Sequence, residues 1–372
     1  MSVLPFPEIN VSPRVLLGPG PSMADPRVLK AMSTPLIGHL DPEFLVLMNN
    51  MQAMLKQVMQ TENPITLAIA GTGSASMEAA FANLLEPDDE ILICINGYFG
   101  HRMVDMAQRY GAVVHTLSVP WGEVFQPQQI DDALRAHPNV RVLAIVHAET
   151  STGARQPLDE IAQLIHARDG YLIGDAVTSL GGVAVRVDEV GIDVCYSGGQ
   201  KALSCPPGAS PITFSPRAIE RIKARRNKVA NWYLDVTMIG SYWGSERTYH
   251  HTAPISMNYA LYESLRLILE EGLENRWQRH RENAQYLWAG LEALGMTLHV
   301  EADYRLPTLT TVRIPEGIDE LAVRKALLND YNIEIGGGLG ELKGKVWRIG
   351  LMGFSSRKEN VALLLKALQE LL

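Results

Sequence analysis

Apolar runs of strand length alternate with helix-length amphipathic stretches through most of this 372-residue chain, and that alternation narrows the fold more than any other feature. The spacing predicts strands over 90–95, 112–117, 140–147 and 171–174, separated by helices over 100–110, 127–136 and 158–167. The strands are nearly continuous in apolar side chains, as in Val142-Leu143-Ala144-Ile145-Val146. A strand of that kind needs cover on both faces, so the pattern predicts a mostly parallel sheet between layers of helix. In such sheets ligands gather beyond the carboxyl ends of the strands.

From residue 257 to 294 a long helical stretch is interrupted at Gly272. Strands over 297–300, 308–314 and 346–351, a helix over 320–329 and a last helix over 357–371 follow. We therefore expect an N-terminal arm (1–14), a large α/β domain (15–272) and a smaller C-terminal α+β domain (273–372). With 47% apolar residues the chain can bury a large core, and with 20% charged residues it has ordinary globular composition. Its net charge of −8, without a long basic block, argues against nucleic-acid or anionic-membrane partners. No apolar run approaches the ~20 residues of a spanning helix. No signal peptide is visible, the C-terminal residues are not a peroxisomal Ser-Lys-Leu, and Cys94, Cys195 and Cys205 form no CxxC pair. A cytoplasmic protein is expected.

Three local features could carry chemistry. Ala70-Gly71-Thr72-Gly73-Ser74 follows an apolar run and opens a helical stretch over 76–85. Two glycines permit a tight turn that exposes successive N–H groups, and the helix dipole adds positive potential, making an anion cradle. It is neither the GxGxxG of dinucleotide folds, because Ser76 stands at the third glycine, nor a P-loop. Asp175 follows the apolar run 171–174, where a carboxylate either caps what comes next or faces the ligand crevice, with Val177 on the same side. Lys201 lies after a strand-like stretch over 193–196, among small residues and ahead of Cys205-Pro206-Pro207-Gly208. Most lysines are solvated, but one partly buried there would have a lowered pKa and react with carbonyls. A phosphate cradle, a carboxylate for a pyridine nitrogen and a lysine for an aldehyde form a set that suits pyridoxal phosphate.

The same features sit within an ordered series of motifs: Leu17-Gly18-Pro19-Gly20-Pro21, Ala70-Gly71-Thr72-Gly73-Ser74, Asn96-Gly97-Tyr98-Phe99-Gly100, Glu149-Thr150-Ser151-Thr152-Gly153, Ser197-Gly198-Gly199-Gln200-Lys201-Ala202-Leu203, Tyr249-His250-His251-Thr252 and Arg348-Ile349-Gly350-Leu351. Through these motifs the chain resembles the alanine–glyoxylate aminotransferases, in the class V group of fold-type I pyridoxal-phosphate enzymes. The resemblance implies that Lys201 holds the cofactor as a Schiff base and Asp175 pairs with the ring nitrogen. It implies that Phe99, where many relatives carry Trp, stacks on one ring face and Val177 packs the other. Thr150 would contact the ring's 3-hydroxyl side. Thr72, Gly73, Ser74 and Gln200 would hold the phosphate, while Tyr249 and Thr252 would reach the phosphate of a neighbouring subunit in a homodimer with composite sites. Arg348 and the backbone near Gly18 would receive the substrate carboxylate. The implied reaction moves the amino group of a small amino acid, alanine or serine, to glyoxylate; serine–glyoxylate or ureidoglycine–glyoxylate transamination is the nearest alternative.

Other features weigh less. His250 and His251 are adjacent, so in regular structure they point apart and make a poor metal pair, and no metal site is expected. The basic run 223–228 reads as a solvated helix face. Trp277, Tyr286 and Trp288 read as core or interface packing on the long helix. A cysteine desulfurase would need a nucleophilic cysteine in the C-terminal part, and none follows Cys205.

Overall fold

The computed structural model describes residue 6 and residues 8–372; residues 1–5 and 7, part of the expected arm, lie outside the described residues. Seven strands form the main sheet: β1 (Ile65–Gly71), β2 (Glu90–Ile95), β3 (Val113–Ser118), β4 (Val142–Val146), β5 (Tyr171–Asp175), β6 (Val194–Tyr196) and β7 (Gly208–Phe214). Their order across the sheet is β1-β7-β6-β5-β4-β2-β3. All neighbours are parallel except β7, which runs antiparallel to both β1 and β6. Every residue of β4 is buried, as a strand with helices on both faces must be.

The topology explains where a site can form. After β2 the chain moves outward to β3 and then returns to place β4 on the other side of β2. Loops leaving the carboxyl ends of β2 and β4 therefore diverge to opposite faces and open a crevice between them. The helix after β1, α1 (Gly73–Leu84), and the helix after β2, α2 (Tyr98–Arg109), both begin beside that crevice.

The Gly272 break is real: α3 (Ile255–Glu271) ends at it and α4 (Leu273–Ala293) starts from it, with the glycine at φ +82°. A second hydrophobic cluster collects Leu287 and Leu291 from α4 with Trp347, Ile349, Leu364 and Leu368. It packs around an antiparallel sheet of β8 (Leu309–Arg313), β9 (Gly336–Gly337) and β10 (Val346–Gly350), in the order β8-β10-β9. Leu17 belongs to this cluster too, because Val15–Leu16 pairs in parallel with Ile333–Glu334.

Two local expectations fail for identifiable reasons. The strand expected over 297–300 shrinks to one bridge between Leu298 and Val312. The segment is bounded by the end of α4, where Gly295 and Met296 donate to Glu292 and Leu291, and by a short 3-10 turn that begins at Ala302; between them Arg313 N donates to the Thr297 carbonyl (2.8 Å) and His299 N to that of Thr311 (2.9 Å). The basic run is not a helix face, since its helix, Pro216–Lys223, stops at the first lysine. Arg225 beyond it donates to the carbonyls of Asn83 (2.7 Å) and Leu85 (2.6 Å), satisfying acceptors that the end of α1 leaves open. Among the described residues no helix is long and apolar enough to cross a membrane.

Candidate active site

Five segments leaving the carboxyl side of the main sheet converge on one cavity of about 170 Å³. β2 hands over through Asn96-Gly97 to α2, whose second residue is Phe99. A Cβ at Gly97 would stand 2.3 Å from Cγ of Glu149, so only glycine allows that approach. β4 leads to Ala148 and Thr150, β5 ends on Asp175, and β6 leads into the turn bearing Gln200 and Lys201. The first turn of α1 supplies Gly73 and Ser74. Gly73, Ser74, Phe99, Thr150, Asp175, Val177, Gln200 and Lys201, all expected from sequence, line this one space together with Met77, Arg102, Val146 and Ala148.

Asp175 is 2% exposed and accepts from the Val177 amide (2.8 Å) and the Tyr196 hydroxyl (3.0 Å). Burial pushes its carboxyl up to about 7 and the nearby Glu149 carboxyl adds to the rise, while those two hydrogen bonds and Lys201 oppose it. Lys201 donates from Nζ to the carbonyl of Pro19. Burial lowers its ammonium pKa to about 8, and the positive field of Arg348 adds to the fall against Asp175 and Glu149. At neutral pH a useful fraction of that amine is unprotonated and nucleophilic. A Cβ at Gly20 would lie 2.8 Å from Nζ, so the glycine lets this backbone close over the lysine.

At the other end of the cavity, Thr72 is the N-cap of α1, but its side chain makes no capping hydrogen bond. The first-turn N–H groups and the positive end of a 12-residue helix thus face a space that suits an anion. Arg102 brings a cation to the same place: its Nη1 donates to Ser74 Oγ (2.9 Å) and its guanidinium lies 4.8 Å from the Phe99 ring centroid. Gln200 Oε1 is buried with no hydrogen-bond partner, an unusual state for a buried amide. An anion cradle, the Phe99 ring and Val177 in the lining, a buried carboxylate and a low-pKa lysine together fit a phosphorylated pyridine aldehyde.

Some expected residues sit elsewhere. Gly18, Arg348, Tyr249 and Thr252 do not line the cavity, whereas Thr72 adjoins it as the N-cap residue before Gly73. Arg348, on β10, donates from Nη1 to the carbonyl of Thr150 (3.2 Å) and from Nε to that of Gly337 (2.7 Å), so it joins the C-terminal sheet to the cavity wall. Burial lowers its pKa to about 10, Arg324 contributes, and Glu149 opposes the fall. Gly18 lies against the same strand, where Gly350 donates to the neighbouring Leu17 carbonyl (2.7 Å). Tyr249 is 57% exposed beside His39, with ring centroids 5.2 Å apart, and Thr252 is exposed on the same loop. His250 and His251 hydrogen-bond one another through their Nδ1 atoms (2.7 Å), and His250 stacks on Trp232.

Sequence reasoning missed Arg102, Tyr196 and Glu149. Arg102 stands three residues after Phe99 and so shares its helix face, which was a usable signal. Tyr196 pairs in register with Asp175 across adjacent strands. Glu149 is fully buried and accepts from Ser151 N (2.9 Å), Ser151 Oγ (2.6 Å) and the Phe99 amide (3.3 Å). It therefore ties the loop after β4 to the start of α2, and burial raises its pKa despite those donors.

Known proteins share this arrangement over nearly the whole chain. The alanine–glyoxylate aminotransferase of Callithrix jacchus is 43% identical over 368 residues, covering 98% of this chain and 89% of the relative. The (S)-ureidoglycine–glyoxylate transaminase of Bacillus subtilis is 42% identical over 377 residues, covering 96% and 90%. A solved structure of alanine–glyoxylate aminotransferase from Nostoc sp. superposes with a TM-score of 0.97 at 59% identity, covering 99% of this chain and 97% of that one. The family model for aminotransferase class V matches residues 14–361. The cavity that joins Lys201, Asp175 and the open end of α1 is thus set in a chain that belongs to the class-V aminotransferases, enzymes of the pyridoxal-phosphate fold-type I group.

Proposed function

We propose that this enzyme transfers the amino group of a small amino acid, alanine or serine, to glyoxylate, giving glycine and a 2-oxo acid. The observation that carries the reading is the placement of Lys201 and Asp175 on one cavity whose far end is the uncapped start of α1. Pyridoxal phosphate, when bound there, supplies an aldehyde for the amines and an electron-withdrawing ring. Lys201 would be the residue for the covalent attachment, and its amine, when free, would be the base that moves the substrate's α-proton. Asp175 keeps a proton on the ring nitrogen by pairing with it, and Tyr196 and the Val177 amide hold its carboxylate in place. Phe99 and Val177 would confine the ring. Gly73, Ser74 and Gln200, with Thr72 at the helix cap, hold the phosphate, and Thr150 contacts the 3-hydroxyl side. Arg348 binds the substrate carboxylate with the backbone near Gly18, because a guanidinium receives a carboxylate through two parallel hydrogen bonds and so orients the α-carbon.

Tyr249 and Thr252, exposed on a loop outside their own cavity, serve the phosphate of a neighbouring copy, which makes the working form a homodimer. We divide each copy into an arm (1–14), a cofactor domain (15–272) and a C-terminal domain (273–372), and assign it to the cytoplasm. The near-equal identity to the alanine and ureidoglycine enzymes supports (S)-ureidoglycine as the second donor to test. Single-turnover absorbance changes of the loaded enzyme with alanine, serine and (S)-ureidoglycine rank the donors. Alanine or serine should convert the cofactor with the highest kcat/KM; a dominant response to ureidoglycine, or to none of the three, overturns the donor assignment.

A further inference from the structure

A second cavity of about 350 Å³ opens between the Ala148–Glu149/Ala154–Arg155 hairpin, α4 and the segment 302–307, in the size range of small-molecule sites. Its lining includes three arginines (Arg155, Arg281 and Arg305), the indoles of Trp277 and Trp288, and a single acid, Asp303. Arg305 is already committed. It donates to the Val300 carbonyl (3.0 Å), pairs with Glu292 at 3.4 Å and lies over the Trp288 ring. Arg155 and Arg281 differ: among the described residues neither has a carboxylate within ion-pair distance. Both are exposed at the cavity's rim, and partial desolvation together with the positive fields of Arg281 and Arg186 pushes the Arg155 pKa down.

The indoles repeat the contrast. Trp288 donates from Nε1 to Thr310 Oγ1 at 2.8 Å, whereas Trp277 Nε1 is buried and has no acceptor. Two exposed guanidiniums without carboxylate partners share this cavity's lining with Trp277, and a lining of three arginines to one acid favours an oxygen-rich anion.

We propose that this cavity is a second binding site for a small multivalent oxyanion, a phosphate ester or a polycarboxylate, held by Arg155 and Arg281 with the Trp277 indole in its wall. It is separate from the cofactor cavity, with which it shares no lining residue. The two are nevertheless back to back on one hairpin, since Arg155 pairs across the strands with Ala148, which lines the cofactor cavity.

The test is calorimetric titration of the cofactor-loaded enzyme, so that its own phosphate cradle is filled, at fixed ionic strength. Inorganic phosphate is the probe in one arm and citrate in the other. One of them should bind saturably with Kd below about 10 mM. Binding should weaken at least about tenfold in both R155A and R281A and by a smaller factor in W277F, with transamination rates unchanged in all three. A response to phosphate alone assigns the site to phosphate esters, and a response to citrate alone assigns it to polycarboxylates. Absence of saturable binding by both probes, or binding unaltered in R155A and R281A, overturns the proposal.

Discussion

The burial of Asp175 costs stability while its proposed role at the ring nitrogen would aid catalysis, and the substitution Asp175→Asn separates the two. The side chain is 2% exposed, and without a cofactor its carboxyl is raised from the ordinary 3.8 to about 7, with burial the largest cause. Between those two values the folded chain keeps a proton that the unfolded chain has lost, so stability falls as pH climbs through that window. At 1.36 kcal/mol per pH unit, the interval from 3.8 to about 7 is worth about 4 kcal/mol, fully expressed only above pH 7. Asparagine has nearly the same shape. It can still accept from the Val177 amide, and the Tyr196 hydroxyl can turn to accept from its NH₂. It carries no charge to desolvate. Cofactor-free Asp175→Asn should therefore match the parent in thermal midpoint near pH 4 and exceed it at pH 8, by up to about 4 kcal/mol in unfolding free energy. The loaded variant should lose several kcal/mol of transition-state stabilisation, because an amide cannot hold a proton on the ring nitrogen. Thermal melts of the cofactor-free proteins from pH 4 to 8, paired with steady-state rates of the loaded ones, read both effects. Equal midpoints at pH 8 would refute the burial argument. A kcat within about tenfold of the parent, a barrier change of only ~1.4 kcal/mol, would refute the catalytic one.

Three further outcomes are expected. Lys201→Ala should fold but lose turnover and the borohydride-reducible cofactor linkage; steady-state rates within about tenfold of the parent would remove Lys201 from the mechanism. If Arg348 is the one clamp for both half-reactions, Arg348→Ala should raise KM for both the amino acid and the oxo acid, and a rise for only one of them would demand a second carboxylate site. Mixed dimers of Lys201→Ala and Tyr249→Ala chains should recover part of the lost activity, because some of their sites carry neither defect; no recovery after confirmed subunit exchange would count against composite sites.

The residues legible in the sequence share one property: each announces itself within a few positions. Gly71-Thr72-Gly73-Ser74 is a turn and a helix start, Asp175 terminates an apolar run, and Lys201 stands among small residues after another. A parallel sheet then does the assembling, because it delivers successive strand ends to the same edge. Local signals spread over more than a hundred residues therefore meet in one cavity. The ordered motifs extended that reading to Phe99, Thr150 and Gln200.

What stayed hidden depends on pairings that no local signal encodes. Tyr196 matters because β5 and β6 align it with Asp175, and a register shift of one residue would point it away. Glu149 looks like an ordinary acid until the loop after β4 folds over Gly97, a position where any side chain would collide with it. Arg155 and Trp277 belong to segments more than a hundred residues apart, and each alone is an unremarkable surface or packing residue. Their contrast with the satisfied Arg305 and Trp288 emerges only when every donor and charge around that cavity is matched with its partner. The segment 297–300 follows the same logic, since how far it pairs with β8, through one bridge flanked by the Thr297 carbonyl and the His299 amide, is set by the partner strand. Local pattern thus specifies which chemistry is available, and long-range pairing decides which neighbours tune it.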